Sequence, residues 1–300
     1  MFTGNVFNAA NNINGIDVDE NGDGSGVEFF HDPDARIREF QKRYVRKVVE
    51  TVGEFDNVLF EIANETYALD WQRCMMAYIR ALEGNRDRWH PVYISPGGVA
   101  STGGWKAMTL DSIAASGADV IGIMDGFGSY DADPPVVDHD GPVIWDNDHV
   151  WGDDWTHRRR AWMAFTRGYH FVFYDHPFER PDEATPADEL MRRNIGATNR
   201  YARRFADLAR MEPRGELSSS GYCLADPGAE YLVYAPDAGP VSLRLEAGSY
   251  RVEWYDCSND RVHDGGVLET SGGMQVLSPP AGVSADYVVY LRFGARIPGV

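Results

Sequence analysis

Apolar residues recur every three or four positions in several stretches of the chain, and short apolar runs separate these stretches. From Asp34, apolar side chains at helical spacing alternate with Arg, Lys and Glu, which predicts an amphipathic helix of about five turns. The next run, NVLFEIA, ends in the polar pair Asn64 and Glu65, as a buried parallel strand would. A second helix is predicted from about Leu69 to Leu82.

The same alternation continues through a long helix that begins after Thr185. Further strands are predicted in HPVYISP from His90, ADVIGIMDG from Ala118, GPVIWDND from Gly141 and HFVFYDH from His170, with helices at about 106–115 and 155–167 and after Thr185. The last helix begins with a capping box, formed by Thr185 and Asp188, and has proline at its first position. Alternating strands and helices predict an α/β fold with a parallel sheet whose strands end in polar residues at one edge.

Periodicity alone leaves two α/β folds open. A doubly wound sheet would normally have a Gly-rich phosphate loop after a strand, and no GxGxxG is found. A (β/α)8 barrel needs eight strands, and five are visible. The stretch 127–140 lacks a helical pattern, so one crossover is expected to be irregular.

The C-terminal part of the chain has a different pattern. Short apolar runs separated by Gly, Pro, Asp and Ser predict the strands of a small all-β sandwich: GYCLAD, EYLVYAP, VSLRLE, YRVEWYDC and DYVVYLRF. We therefore expect two domains, residues 1–214 and residues 215–300. Cys223 and Cys257 share the second region and could form a disulfide, although buried free thiols at all three cysteines are the favoured alternative.

Composition and charge narrow the possible partners. The formal net charge of -18 opposes binding to nucleic acid phosphates and to anionic membranes, which leaves neutral or cationic partners. No apolar stretch reaches membrane-spanning length, and the N-terminal MFTGNVFNAANN has neither the basic segment nor the apolar run of a signal peptide.

Glu65 is the first candidate for chemistry because it follows Asn64 at the end of an apolar strand. Its carboxylate should stand at the functional edge of the sheet, beside a hydrogen-bonding amide. Cleavage of a glycoside requires a carboxylic acid with a raised pKa, which partial burial at such an edge would produce. The alternative is that Glu65 only caps the following helix.

A second group of candidates follows the strand GPVIW three strands later. Asp146 or Asp148 would act as nucleophile or base opposite Glu65. The distance between that carboxyl group and the carboxyl group of Glu65 would decide whether the anomeric configuration is retained or inverted. The alternative for Asp146, Asp148 and His149 is a turn or a metal site, since they offer three ligands within four residues.

Other polar and aromatic residues near the strand ends could contact a sugar. Trp151 could stack on a sugar ring, and Trp105, Trp145 and Trp155 also fall near strand ends, although packing is the more common role for such a residue. The predicted substrate-binding residues are Asn64, His149, Trp151, Asp125 and Asp175.

Residues 17–28, DVDENGDGSGVE, match the spacing of a calcium-binding loop. The oxygen ligands that this pattern supplies are Asp17, Asp19, Asn21, Asp23 and Glu28. Two features depart from a calcium hand, because NNINGI before the loop is not helical and position eight is Gly24 instead of an apolar residue. The pattern fits either a loop that binds a structural Ca²⁺ or a solvated Asp/Gly-rich loop without a metal. The predicted chemistry requires no cofactor.

The segments VFNAANNINGIDVDENGDG, YVRKVVETVGEFDNVLFEIANE, DNDHVWG and FVFYDHP resemble the apiosidase-like and cellulase-like barrels of a large glycoside hydrolase clan. The resemblance implies a (β/α)8 barrel in which an Asn-Glu pair ending the fourth strand supplies the acid/base and a carboxylate ending the seventh supplies the nucleophile. Matched by motif, these are Asn64 with Glu65 and the DNDH segment. The C-terminal segments resemble the β-sandwich appended to these enzymes, often labelled a collagen-binding domain.

The chain departs from the pattern of this clan in two respects. The five strands correspond to strands four to eight, so we expect a partial (TIM) barrel that is truncated at its N-terminus and could associate through its incomplete edge. The seventh-strand carboxylate is Asp146 or Asp148 where the clan usually has Glu. Relatives in the clan are expected to be secreted or periplasmic.

Together these features predict a glycoside hydrolase that cleaves O-glycosidic bonds in polysaccharide with two carboxylates. The alternatives are a non-catalytic carbohydrate-binding or cell-surface module, and a metal-dependent hydrolase that uses Asp146, Asp148 and His149.

Overall fold

The structure is a computed structural model. It describes residues 4–31, 33–64, 66–84, 89–95, 108–124, 133–147, 154–173, 185–283 and 285–295, without the side chains of residues 124, 147, 154–157, 173 and 295. The chain divides into two compact units, residues 1–127 with 137–143 and residues 128–136 with 144–300.

Five strands form the predicted parallel sheet. They are β1 (Phe60–Glu61), β2 (Val92–Ile94), β3 (Val120–Met124), β4 (Val143–Asn147) and β5 (Tyr169–Phe173). Their order in the sheet, β1-β2-β3-β4-β5, is also their order along the chain, and β1 and β3 each pair with β2 in parallel. This confirms the α/β fold class. The strands are shorter than the apolar runs that predicted them.

The helices lie close to their predicted positions. They are α1 (Ala35–Val52), α2 (Leu69–Glu83), α3 (Leu110–Ala114), α4 (Asp154–Thr166) and α5 (Pro186–Ala202). The predicted capping box of α5 is present, with Thr185 Oγ1 accepting from the backbone N–H of Asp188. The predicted start of α3 near residue 106 was too early, because Thr109 and Ser112 form a capping box that starts the helix at Leu110.

The C-terminal part is antiparallel. Its strands are β6 (Glu212–Pro213), β7 (Cys223–Asp226), β8 (Glu230–Ala235), β9 (Val241–Leu245), β10 (Gly248–Asp256), β11 (Arg261–Thr270), β12 (Gly273–Leu277) and β13 (Tyr287–Ala295). Six of them form a sheet in the order β11-β10-β13-β8-β7-β6, and β12 pairs with β9. The five predicted strands are present, and the domain boundary near residue 215 stays a prediction.

Strand β11 was not predicted because its sequence, RVHDGGVLET, lacks a regular alternation of apolar and polar residues. It contains Gly265 and Gly266 and is mostly exposed. A Cβ at Gly265 would lie 2.6 Å from Trp254 Nε1, and Gly266 has a φ of 72°, so both positions suit glycine. The register with β10 shifts between Arg251 and Glu253, which indicates a bulge at this point.

The central part of the six-stranded sheet is buried on both faces, as alternate residues of β8 show. Tyr231 and Val233 belong to a core cluster with Leu243 of β9, whereas Leu232 and Tyr234 belong to a second cluster. The helical members of that second cluster are Trp162 and Met163 of α4 and Ala197 and Tyr201 of α5. The two-stranded sheet therefore covers one face of the large sheet, and helices α4 and α5 cover the other.

Candidate active site

The carboxyl end of β1 carries the first predicted catalytic segment. Asn64 is exposed three residues after the end of β1, and Glu65 lies outside the described residues. The segment follows a strand whose backbone is held by β2, since the Phe60 and Ile62 N–H groups donate to the Pro91 and Tyr93 carbonyls at 3.0 and 3.2 Å. Strand pairing therefore fixes the direction of the chain that enters this segment.

Two side chains hold the backbone on either side of position 65. Ser95, the residue after β2, donates its hydroxyl to the Ala63 carbonyl at 3.0 Å. Gln72 of α2 is fully buried and donates through Nε2 to the Thr66 carbonyl at 3.1 Å. These bonds limit the positions open to the segment, because a buried carbonyl that loses its donor is costly.

Ser95 and Gln72 were not predicted to have a role. For Gln72 a signal was present in the sequence, because it occupies a core-facing position of α2, in phase with Met75, Met76 and Ile79. A polar residue in such a position usually has a buried partner. The sequence does not reveal which partner, since Thr66 belongs to a loop of irregular conformation.

Strand β4 positions the second predicted carboxylate. Val143 and Trp145 are buried, whereas Asp146 is partly exposed, so the strand alternation places Asp146 on the opposite face from Trp145. The Trp145 ring packs edge-on against Tyr169 and Phe171 with centroid distances of 6.4 and 5.9 Å. Trp145 is therefore a packing residue, one of the two roles that its sequence position allowed.

Most of the other predicted site residues are not covered by the structure. Asp148, His149, Trp151, Asp125 and Asp175 lie outside the described residues. Asn64 and Asp146 are thus the described members of the predicted catalytic and substrate-binding set.

The loop at residues 17–28 is held together by bonds between its side chains and its own backbone. Asp19 Oδ2 accepts from the Gly24 N–H at 2.9 Å, and Asp23 Oδ1 accepts from the Ser25 N–H at 2.8 Å. Hydrogen bonds from the Ser25 hydroxyl and backbone lower the pKa of Asp23. Asp17 Oδ1 accepts from the Asp19 N–H at 3.2 Å.

Some oxygens of this loop remain available. Asp19 Oδ1 and both carboxylate oxygens of Glu28 are buried without a hydrogen-bond partner, while Asn21 Oδ1 accepts from the Asp23 N–H. Nevertheless, the described part of the chain contains no group of three or more His, Cys, Asp or Glu side chains arranged to hold a metal ion. Calcium binding by Asp17, Asp19, Asn21, Asp23 and Glu28 stays a prediction.

None of the described helices has both the length and the apolar composition needed to cross a membrane.

Comparison with protein-family models gave no match, and comparison with curated protein sequences gave none. Solved structures do share the fold. One is a protein described as a glycoside hydrolase, with 13% identity and a TM-score of 0.60 over 85% of this chain and 69% of that one. Another is a family 5 glycoside hydrolase from Bacteroides vulgatus, with 12% identity and a TM-score of 0.62 over 84% of this chain and 66% of that one. The chain thus spans about two thirds of the length of these neighbours.

Proposed function

We propose that the chain is a glycoside hydrolase that cleaves O-glycosidic bonds in polysaccharide by a two-carboxylate mechanism. The observation that carries this proposal is the parallel sheet, in which Asn64 lies three residues after the end of β1, next to Glu65 in the sequence, and β4 contains Asp146 near its carboxyl end. In barrel enzymes the catalytic groups project from the carboxyl ends of the strands. The similarity of the fold to those of two glycoside hydrolases supports the same function.

In this proposal Glu65 is the acid/base. It protonates the glycosidic oxygen as the bond to the leaving group breaks. If the second carboxylate attacks the anomeric carbon, Glu65 then accepts a proton from the water that hydrolyses the glycosyl-enzyme, whereas if the second carboxylate activates the water, that carboxylate takes the proton and Glu65 acts as the acid alone. Asp148 or Asp146 is the second carboxylate, which either attacks the anomeric carbon or activates water. Asn64, His149, Trp151, Asp125 and Asp175 are proposed to contact the sugar.

Ser95 and Gln72 are proposed as positioning residues for Glu65. Their bonds to the Ala63 and Thr66 carbonyls anchor both sides of the catalytic position. A small displacement of an acid/base reduces proton transfer strongly, since the transfer depends on hydrogen-bond distance to the substrate.

The test is a comparison of Glu65→Gln with the unmodified chain on a panel of chromogenic aryl glycosides. The substitution removes the transferable proton but keeps the size of the side chain, so we expect hydrolysis to fall roughly 10²- to 10⁴-fold. Glu61→Gln, at an exposed position of β1, is the matched control and should hydrolyse at the unmodified rate.

Equal hydrolysis by Glu65→Gln and the unmodified chain would contradict the assignment, as would the absence of hydrolysis by the unmodified chain on the whole panel. Asp146→Asn and Asp148→Asn, each assayed with and without azide, then identify the second carboxylate. Azide replaces a missing carboxylate nucleophile or base, so activity should return in the variant that lacks it.

A further inference from the structure

A pocket lies at the opposite end of the parallel sheet from Asn64. It is open, has a volume of about 710 Å³, and includes Trp89, Gly117 and Asp119 together with Asp138, His139 and Asp140 in its wall. Trp89 precedes β2, Asp119 precedes β3 and the 138–140 segment precedes β4, so the pocket marks the amino ends of three strands. We refer to it as the amino-end pocket.

Distance separates this pocket from the proposed catalytic residues. A strand of five residues, such as β3, is roughly 16 Å long, and the proposed catalytic carboxylates lie near or after the carboxyl ends of the strands. The amino-end pocket is therefore distinct from the proposed catalytic site.

Trp89 gives the pocket a flat apolar surface. Its side chain is 58% exposed, so part of the ring surface is open to solvent at the wall of the pocket. An exposed ring next to a pocket is available to pack against the apolar face of a ligand.

The floor of the pocket is rigid. The guanidinium of Arg80, from α2, donates to the Gly117 carbonyl and to Asp119 Oδ1, both at 2.8 Å. Asp119 Oδ2 in turn accepts from the Val92 N–H at 2.9 Å. Gly117 has a φ of 82°, a conformation that glycine adopts without strain. These bonds hold the part of the pocket wall formed by Gly117 and Asp119.

The polar groups of the pocket are mainly acceptors. Asp138 and Asp140 are exposed carboxylates, and His139 Nε2 is buried without a hydrogen-bond partner. Gly141 makes room for this arrangement, because a Cβ there would lie 2.0 Å from the Asp119 carbonyl oxygen and 2.9 Å from His139 Nε2. Ionised carboxylates accept hydrogen bonds and donate none, so a suitable ligand must present donors.

These properties select the chemistry of the ligand. Two carboxylates, on a chain with a net charge of -18, disfavour an anion. The polar wall disfavours a wholly apolar molecule. A sugar has an apolar ring face for Trp89 and hydroxyl donors for Asp138 and Asp140. An organic cation would meet the same requirements, and the proposed glycosidase function is the reason to prefer the sugar.

We propose that the amino-end pocket binds a neutral polysaccharide chain, with one sugar ring stacked on Trp89 and hydroxyl groups donating to Asp138 and Asp140. The choice of a polysaccharide rests on the proposed glycosidase function, whereas the binding itself is independent of catalysis. Such a site keeps the enzyme on a polymer while another segment of it is cleaved.

The test is native electrophoresis of the full chain through gels that contain arabinoxylan, hydroxyethylcellulose or galactomannan, and through a gel without polysaccharide. We expect at least one neutral polysaccharide to retard the unmodified chain. Trp89→Ala should weaken the apparent affinity roughly tenfold, since it removes the stacking surface. Trp89→Phe should retain much of the binding, and Tyr44→Ala, which removes another exposed aromatic ring, should retain all of it.

The proposal would be overturned if no polysaccharide retarded the unmodified chain, or if Trp89→Ala were retarded as strongly as the unmodified chain. Retardation that disappears in high salt would also overturn it, because such retardation would indicate an ionic interaction. Hydrolysis of a small substrate tests catalysis separately from polysaccharide binding. Trp89→Ala should hydrolyse a small aryl glycoside at the unmodified rate, and Glu65→Gln should be retarded as strongly as the unmodified chain. Failure of catalysis and failure of binding are therefore distinguishable.

Discussion

At the scale of single residues, the three cysteines differ sharply in their surroundings. Cys223 and Cys257 are buried free thiols, and Cys74 is an exposed free thiol on α2. The disulfide that Cys223 and Cys257 could have formed is therefore not present, and the expectation that all three thiols are buried was wrong for Cys74. Burial raises the pKa of the Cys223 thiol to about 12 and raises that of Cys257 well above its ordinary value.

These surroundings predict the reactivity of each thiol. The thiolate is the reacting form, so a raised pKa and burial both protect Cys223 and Cys257 at pH 8. Titration of the native chain with Ellman's reagent should show rapid reaction of one thiol, and of all three after denaturation. Cys74→Ser should remove the rapid reaction, and rapid modification of a second thiol in the native chain would contradict this prediction.

At the scale of elements, a polar cluster joins the end of α5 to β10. Arg204 donates through Nη1 and Nη2 to the two carboxylate oxygens of Glu253 at 2.7 and 2.9 Å, and Tyr201 donates to Oε1 at 2.8 Å. Burial opposes ionisation of Glu253, but the hydrogen bonds from Arg204 and Tyr201 outweigh it and lower its pKa. The ionised carboxylate is therefore the form that the fold stabilises.

A lowered pKa makes this contribution depend on pH. The stabilisation is present above the unfolded-state value near 4.5 and is lost as the pH falls through the lower folded-state pKa. Glu253→Gln should reduce the free energy of unfolding by about 1 kcal/mol at pH 7, since Arg204 is partly exposed, and by less near pH 3.

Urea denaturation at both pH values measures this difference. The same substitution at Glu216, which pairs with Arg214 and whose side chain is more exposed than that of Glu253, is the control and should have little effect. An equal loss of stability at both pH values would show that Glu253 acts by packing and not by its charge.

At the scale of the whole molecule, the parallel sheet has an apolar opening beside β1. A cavity of about 670 Å³ lies between α1, α2 and β1, and most of its lining is apolar, including Phe40 and Trp71. Within the described ranges no strand pairs with the outer edge of β1. Tyr44, which lines the cavity, and Leu59, which precedes β1, are 73% and 42% exposed. An unpaired strand next to exposed apolar surface favours association.

We therefore expect the chain to self-associate as its concentration rises. Light scattering coupled to size-exclusion chromatography should show an increasing mass, and the double substitution Tyr44→Glu with Leu59→Lys should reduce it. Val276→Glu, which removes an exposed apolar residue from β12, is the control and should leave the mass unchanged. A constant monomer mass at all concentrations would rule out association through this edge.

The sequence alone determined the alternation of helices and strands, most helix starts and the parallel sheet, because these depend on local periodicity and on caps such as Asp34 and Thr185. It also indicated Asn64 and Asp146 near strand ends, as the structure shows.

Only the tertiary structure revealed the anchoring of residues 63 and 66 by Ser95 and Gln72, the two-sided burial of the central strands of the large antiparallel sheet, and the amino-end pocket around Trp89. Each of these depends on contacts between segments that are distant along the chain. A local pattern shows that a side chain is polar or apolar, whereas the fold decides which other side chains it meets.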